Sequence, residues 1–299
     1  MNHLQEKGDF KSGFVAIVGA PNAGKSTLLN RILGLKISIT SKKPQTTRDR
    51  ILGIFNRRAS QMIFLDTPGI HRPRGLLNEK IVEQAFRAIK DVDIILFIKD
   101  MASRQTGDET LIIEQVKKEQ KKVILALNKI DLVKKTEVYR TVDRFQNLAD
   151  FAACVPVSAD KGTQVPELLD EIEKILPQGP PLFPEDTLTD ASLRFLSREL
   201  VREKIFRLTG MEIPYSSAVT VDAFEEEARR IRIHATIHVT RKSQKGILLG
   251  KQGTMIRNIG AKARRDIEKM TGKRVFLELF VRVTRDWNKS ARHLNEMGY

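Results

Sequence analysis

At 299 residues, with 41% hydrophobic and 30% charged residues, the chain has material for about two globular cores. It contains no run of about eighteen apolar residues, and residues 1–11 carry no apolar stretch of signal type, so neither membrane spanning nor secretion is expected. The net charge is +15 and unevenly spread: fifteen of the 52 Lys and Arg fall in residues 241–299 against five of the 37 Asp and Glu. A field of that sign draws polyanions, whether RNA, DNA or anionic lipid.

In chain order, the apolar run 14–18 leads into Gly19, Ala20, Pro21, Asn22, Ala23, Gly24, Lys25, Ser26 and Thr27. This is a P-loop pattern: a strand, a glycine turn whose N–H groups cradle phosphate, and a helix behind it over 25–33. Lys25 is placed to neutralise β- and γ-phosphates, and the Ser26 hydroxyl to bind Mg²⁺. A polar stretch over 36–50 carries Thr46 and Thr47, either of which can complete the Mg²⁺ shell. Strands are predicted at 51–55 and 62–65, the second closing on Asp66, Thr67, Pro68 and Gly69. Asp66 can hold the metal shell through water, and Gly69 can offer its N–H to a γ-phosphate.

Apolar runs at 94–98 and 123–127 read as strands buried on both faces, separated by helical patterns over 77–89 and 108–118. The second run ends in Asn128, Lys129, Ile130 and Asp131. A carboxylate at Asp131 accepts from both N1–H and the 2-amino group of guanine, donors that adenine lacks there, so this residue selects guanine. Asn128 is expected to brace the loops and the Lys129 stem to cover the base. A last strand at 154–157 leads to Ser158 and Ala159, whose backbone N–H groups are expected at the guanine O6, and then to a helix over 165–176. The lone Cys154 reads as a core thiol. Such alternation predicts an α/β domain with a mostly parallel, doubly wound sheet and its ligand at the carboxyl ends of the strands.

The order and spacing of these motifs resemble the G domain of translation-factor-class GTPases. Gly-x-Pro-Asn-x-Gly-Lys-Ser with Pro-x-Thr-Thr-Arg is similar to their Era-like branch. The resemblance implies GTP hydrolysis to GDP, and it favours Thr47 over Thr46. Where Ras-type relatives place a glutamine after Asp-x-x-Gly to orient water, this chain has Ile70. The resemblance supplies another device: the asparagine matching Asn22 helps bind K⁺, which makes Asn22, Lys25 and Thr47 the catalytic candidates. An asparagine in that turn also suits left-handed backbone without any ion. His71 reads as a solvated loop residue.

Residues 177–190 are proline-rich and read as a linker between a GTPase domain over 13–176 and a second domain over 191–299, with a tail at 1–12. The second domain is predicted to open with a helix over 192–208 and strands at 215–221, 231–239 and 275–283. His234 and His238 fall on the outward face of the middle strand and read as surface residues. Before the last strand come Lys245, Gly250, Lys251, Gln252, Gly253 and, on the following helix, Arg257. Glycines at both ends of the turn let a nucleic-acid backbone approach, and Lys251 can meet a phosphate. The order of elements resembles a type II KH domain, an α+β fold that binds single-stranded RNA. With the G domain, it implies a family of ribosome-assembly GTPases that bind the 3′ end of 16S ribosomal RNA and act on the 30S subunit in the cytoplasm. Two rival readings stand beside it: an RNA-binding protein with a slow structural GTPase module, and a GTPase held peripherally at the inner membrane by its basic tail.

Overall fold

The computed structural model describes residues 10–73, 75–103 and 107–299. Most of the expected tail, residues 1–9, lies outside the described residues, and the first strand already begins at Lys11. The N-terminal elements run β1 (Lys11–Gly19), α1 (Lys25–Leu33), β2 (Ile51–Arg57), β3 (Ser60–Asp66), α2 (Leu76–Lys90), β4 (Ile94–Asp100), α3 (Gly107–Lys118), β5 (Lys122–Asn128), α4 (Lys135–Gln146), β6 (Ala153–Val157) and α5 (Val165–Ile175). Their six strands form one sheet in the order β2-β3-β1-β4-β5-β6, parallel except for β2. Helices on both faces explain the apolar runs: Val15, Ala16, Ile17 and Val18 of β1 are all fully buried. β2 is antiparallel because the two residues Arg58 and Ala59 allow only a hairpin into β3. The register sets Ile17 beside Asp66, Gly19 beside Ile98, Asp100 beside Asn128 and Asn128 beside Val157. The strand ends that carry polar motifs therefore converge along one edge of the sheet.

Residues 177–190 are strapped to this sheet rather than free. The Ile54 N–H of edge strand β2 donates to the Leu188 carbonyl at 2.9 Å, and Gln61 Oε1 accepts from the N–H groups of Leu182 and Phe183. The strap gives the edge strand a partner, which removes an open pairing surface.

The C-terminal elements are α6 (Leu193–Leu208), α7 (Ile213–Ser216), β7 (Ser217–Glu226), β8 (Arg230–Val239), α8 (Lys242–Leu249), α9 (Thr254–Thr271), β9 (Arg274–Val283) and α10 (Ala291–Glu296). The sheet order is β7-β8-β9, with β7 antiparallel and β9 parallel to β8. Strict alternation in β8 puts Ile231, Ile233, Ala235, Ile237 and Val239 fully inside against the helices. The strand expected over 215–221 starts later and runs further. Pro214 presets helical backbone for α7, and β7 then continues to Glu226 through a register shift between Val221 and Ala223. His238, expected at the surface, is buried, with Nε2 3.0 Å from Thr220 Oγ1 and Nδ1 2.9 Å from Thr284 Oγ1. His234 is partly exposed and pairs with Glu278 at 2.8 Å.

The compact units do not follow the contiguous division read from the sequence. One ends its first stretch at Ser38 and takes in Thr47–Pro73 and Ile81–Asp190; the other gathers Ile39–Thr46, a short stretch ending at Lys80, and Ala191–Tyr299. Ile39 is the reason: it is apolar within a polar stretch, and it is buried in the same core as Leu200 and Ile205 of α6. In that unit the Thr40 N–H donates to Glu203 Oε1 at 3.1 Å, and the Lys43 ammonium donates to the Phe206 carbonyl at 2.6 Å.

Candidate functional site

β1 delivers the chain into a turn in which Asn22 (φ 64°) and Gly24 (φ 98°) take left-handed backbone. A Cβ on Gly24 would overlap the Asn128 side-chain amide, and one on Gly19 would sit 2.5 Å from the Ile98 carbonyl oxygen. Both glycines are thus demanded by close approach. Lys25 is buried and donates to the carbonyl oxygens of Gly19 and Ala20 at 3.0 and 2.9 Å. Burial pushes its ammonium down to about 8, against the opposing pull of the Asp66 carboxylate. A phosphate at this turn is the partner that would keep it charged.

At the start of α1, Ser26 Oγ donates to Asp66 Oδ2 at 2.6 Å and lies 2.9 Å from Thr47 Oγ1. Ser38 Oγ donates to the same carboxylate oxygen at 2.6 Å. Asp66 Oδ1 is buried without a hydrogen-bond partner among the described residues. Burial raises the Asp66 pKa above the usual carboxylate range, although the two hydroxyls and Lys25 oppose it. Hydroxyl and carboxylate oxygens around one point, one of them orphaned, suit a hard divalent cation, so these residues fit Mg²⁺. Thr46 is spent elsewhere, donating to the Lys43 carbonyl at 2.8 Å, which leaves Thr47 as the hydroxyl at the cluster.

The segment after Asp66 is laced to the turn. A Cβ on Gly69 would stand 2.7 Å from Pro21 Cα, and the Ile70 N–H donates to the Gly19 carbonyl at 3.1 Å. The Ile70 side chain is fully buried, so nothing at that position orients water. His71 turns its Nδ1 to the Gly69 carbonyl at 2.9 Å.

On the base side, Asn128 braces two loops: its Nδ2 donates to the Ala23 carbonyl at 2.8 Å and its Oδ1 accepts from the Ala159 N–H at 2.9 Å. Lys129 takes left-handed backbone (φ 68°) and donates to the Asn22 carbonyl at 2.9 Å and to Asp100 Oδ2 at 2.6 Å. Asp131 lies exposed in the short helical turn Ile130–Leu132. The N–H groups expected free for a guanine O6 are engaged here: that of Ser158 donates to the Thr163 carbonyl at 3.1 Å, and that of Ala159 to Asn128. Both loops close on themselves at the very strand ends that bring them together. Cys154 is half-buried, and burial pushes its thiol up to about 11, which disfavours a nucleophilic role.

The second site residues are brought together by α8 and α9. Gly250 (φ 70°), Gln252 (φ 50°) and Gly253 (φ 76°) turn the chain between the helices. A Cβ on Gly250 would meet Met255 at 2.8 Å, whereas one on Gly253 would meet nothing within 4 Å. Lys251, Gln252 and Arg257 are exposed, Arg257 donating to the Gln252 carbonyl at 2.7 Å, and Lys245 is half-buried on α8. Beside them Ile247 stands 52% exposed, an apolar surface next to a cationic turn.

Comparison with known proteins agrees with this arrangement. A family model described as 50S ribosome-binding GTPase matches residues 14–129, and a KH domain model matches residues 212–288. GTPase Era of Syntrophus aciditrophicus is 52% identical over 292 residues, covering 97% of this chain and 95% of the relative. The chain belongs to the Era family of GTPases. Era of Geotalea uraniireducens is 50% identical over 97% of this chain and 98% of its own. Among solved structures, a point variant of Aquifex aeolicus Era bound to GDP·AlF4⁻ superposes with a TM-score of 0.93 at 41% identity, covering 97% of this chain and 99% of that one. Era in complex with MgGDPNP and nucleotides 1506–1542 of 16S ribosomal RNA superposes with a TM-score of 0.94 at 40% identity and the same coverage.

The Era architecture also recruits residues that no motif marks. Ser38 donates to the Asp66 carboxylate beside Ser26, Asp100 anchors Lys129, and the Arg31 guanidinium donates through Nε to the Ala159 carbonyl at 3.1 Å. Only Asp100 carried a signal in the sequence, as a polar residue at the end of a buried strand.

Proposed function

We infer that this chain is a GTP-hydrolysing switch whose C-terminal unit binds 16S ribosomal RNA near its 3′ end and assists assembly of the 30S subunit in the cytoplasm. The observation that carries the reading is the full-length likeness to the Era structure holding MgGDPNP and that RNA segment. In this reading Gly19 to Thr27, Asp66, Gly69, Asn128, Lys129, Asp131, Ser158 and Ala159 form the nucleotide site. Lys25 neutralises the β- and γ-phosphates, Asp131 selects guanine, and Ser26, Thr47 and Asp66 hold Mg²⁺. When bound, that ion would offset the negative charge that develops on the phosphate oxygens.

With Ile70 buried, no side chain at that position orients water, and we assign Asn22 to K⁺ binding, the role that the family resemblance implies. The cation would supply charge where an arginine finger acts in other GTPases. Asn22 is exposed at the rim of the turn, as that role requires. GTP turnover measured in K⁺ and in Na⁺ at equal ionic strength tests it; equal rates refute it.

The RNA contact rests on Lys245, Gly250, Lys251, Gln252, Gly253 and Arg257. Thr47 follows directly on Ile39–Thr46, a segment that packs within the C-terminal unit, so a metal-bound Thr47 biases that unit. Labelled RNA matching the 3′ end of 16S RNA should bind the full chain more tightly with a GTP analogue than with GDP. Equal affinities would reduce the G domain to a structural module. No helix among the described residues is long and apolar enough to cross a membrane, and flotation with anionic vesicles separates RNA binding from peripheral attachment at the inner membrane.

A further inference from the structure

β8 and β9 run parallel, so their carboxyl ends, Val239 and Val283, leave the sheet side by side, and the Thr284 N–H donates to the Val239 carbonyl at 2.8 Å. The two exits frame a cavity of about 540 Å³. Arg241 and Lys242 line it from one exit, Arg285 and Lys289 from the other. All four side chains are exposed. Lys289 is paired with Asp286 at 3.2 Å, but Arg241, Lys242 and Arg285 have no ion-pair partner among the described residues. The floor is fixed: Gln244 is buried and ties down the Thr240 and Arg241 N–H groups, and buried Trp287 donates to the Ser216 carbonyl at 3.0 Å. Two carboxylates, Glu212 and Asp286, line it as well, so the lining carries four cations against two carboxylates, and that surplus of positive charge on a rigid frame around a concavity forms a place for an anion.

We propose that this cavity is a second phosphate site, which holds the backbone of a single-stranded RNA where it continues past the Gly250–Gly253 turn. α8 joins the two: its C-terminal end enters the turn, its first residue Lys242 lines the cavity, and its eight residues span about 12 Å. A strand clamped at the turn, which grips about four nucleotides, reaches the cavity by adding a few more. The cavity then contributes charge contacts without reading bases. The inference rests on the RNA-binding reading above and extends it to a site at the other end of α8.

The test uses the full chain with a GTP analogue and two single-stranded RNAs, one of about four nucleotides and one about twice as long. The variant is Arg241→Gln with Arg285→Gln. Fluorescence anisotropy across a salt series should show the longer RNA weakened about tenfold or more. The slope of log K against log salt should flatten by about 1.4, since each phosphate contact on a single strand contributes about 0.7. The short RNA should bind as before, which also shows that the variant is folded. Equal loss for both lengths, or no loss for either, overturns the proposal. So does free pyrophosphate competing at the cavity with no dependence on RNA length, and so does loss of anionic-vesicle binding with the longer RNA unaffected. Gly253→Asp is the reference: if it leaves the short RNA untouched, the RNA-binding reading itself has failed rather than the cavity.

Discussion

Two glycine turns in this chain each precede a helix and each are built to meet phosphate, yet they are made in opposite ways. The P-loop is packed from behind: Gly19 and Gly24 have no room for a Cβ, Lys25 is buried, and Asn128, Lys129 and Ile70 tie it to two neighbouring segments. The turn between α8 and α9 is open: Gly253 faces free space and Lys251 and Gln252 are exposed. A closed turn fits one ligand of fixed shape and gains from low dielectric; an open one accepts any backbone that carries phosphate. The difference should appear in how each fails.

The largest effect is expected at Gly24. Alanine there meets both the left-handed backbone penalty and the Asn128 amide, so Gly24→Ala should cost about 3 kcal/mol, roughly a hundredfold in GTP affinity. Isothermal titration with GDP and a GTP analogue measures it, and RNA affinity of the nucleotide-free protein should be unchanged. Asp131→Asn comes next. It removes a charged acceptor of two guanine donors, and about 2–3 kcal/mol of GTP binding should go with it. A purine nucleotide carrying a carbonyl at C2 should recover part of that loss, because the new amide can donate to it. Unchanged GTP affinity would mean that this carboxylate does not read the base.

Most of the closed site was legible because its residues sit at strand ends whose apolar runs announce themselves. Gly19, Asp66 and Asn128 each follow a buried strand, and parallel register brings them to one edge. What was hidden depends on contacts made across the fold. Ser38 and Arg31 have no local pattern, and the N–H groups of Ser158 and Ala159 look free until Thr163 and Asn128 are placed against them. Ile39 looked like one apolar residue in a polar loop, yet its burial assigns Ile39–Thr46 to the C-terminal unit. Alternation put His238 on the outward face correctly, but it could not show that Thr220 and Thr284 cover it. At the open turn the glycines were visible and the exposure of Ile247 beside them was not.

The open turn should fail more gently. Gly253→Ala meets only the left-handed penalty, about 1 kcal/mol, or roughly fivefold in RNA affinity, whereas Gly253→Asp adds like-charge repulsion of phosphate and should abolish binding with GTP affinity intact. Smallest in free energy is Lys251→Ala. Removing one exposed cation should lower RNA affinity only a few-fold at moderate salt, but it should flatten the log–log salt slope by about 0.7, the signature of one lost phosphate contact on a single strand. The same salt series run on GTP binding should be shallow, since Lys25 is shielded from counterions by burial. If the two ligands showed equal slopes, Lys25 would be acting as an exposed charge and the contrast between the two turns would collapse. An unchanged RNA slope in Lys251→Ala would instead move the phosphate contact to Lys245 or Arg257, the remaining cations beside the turn.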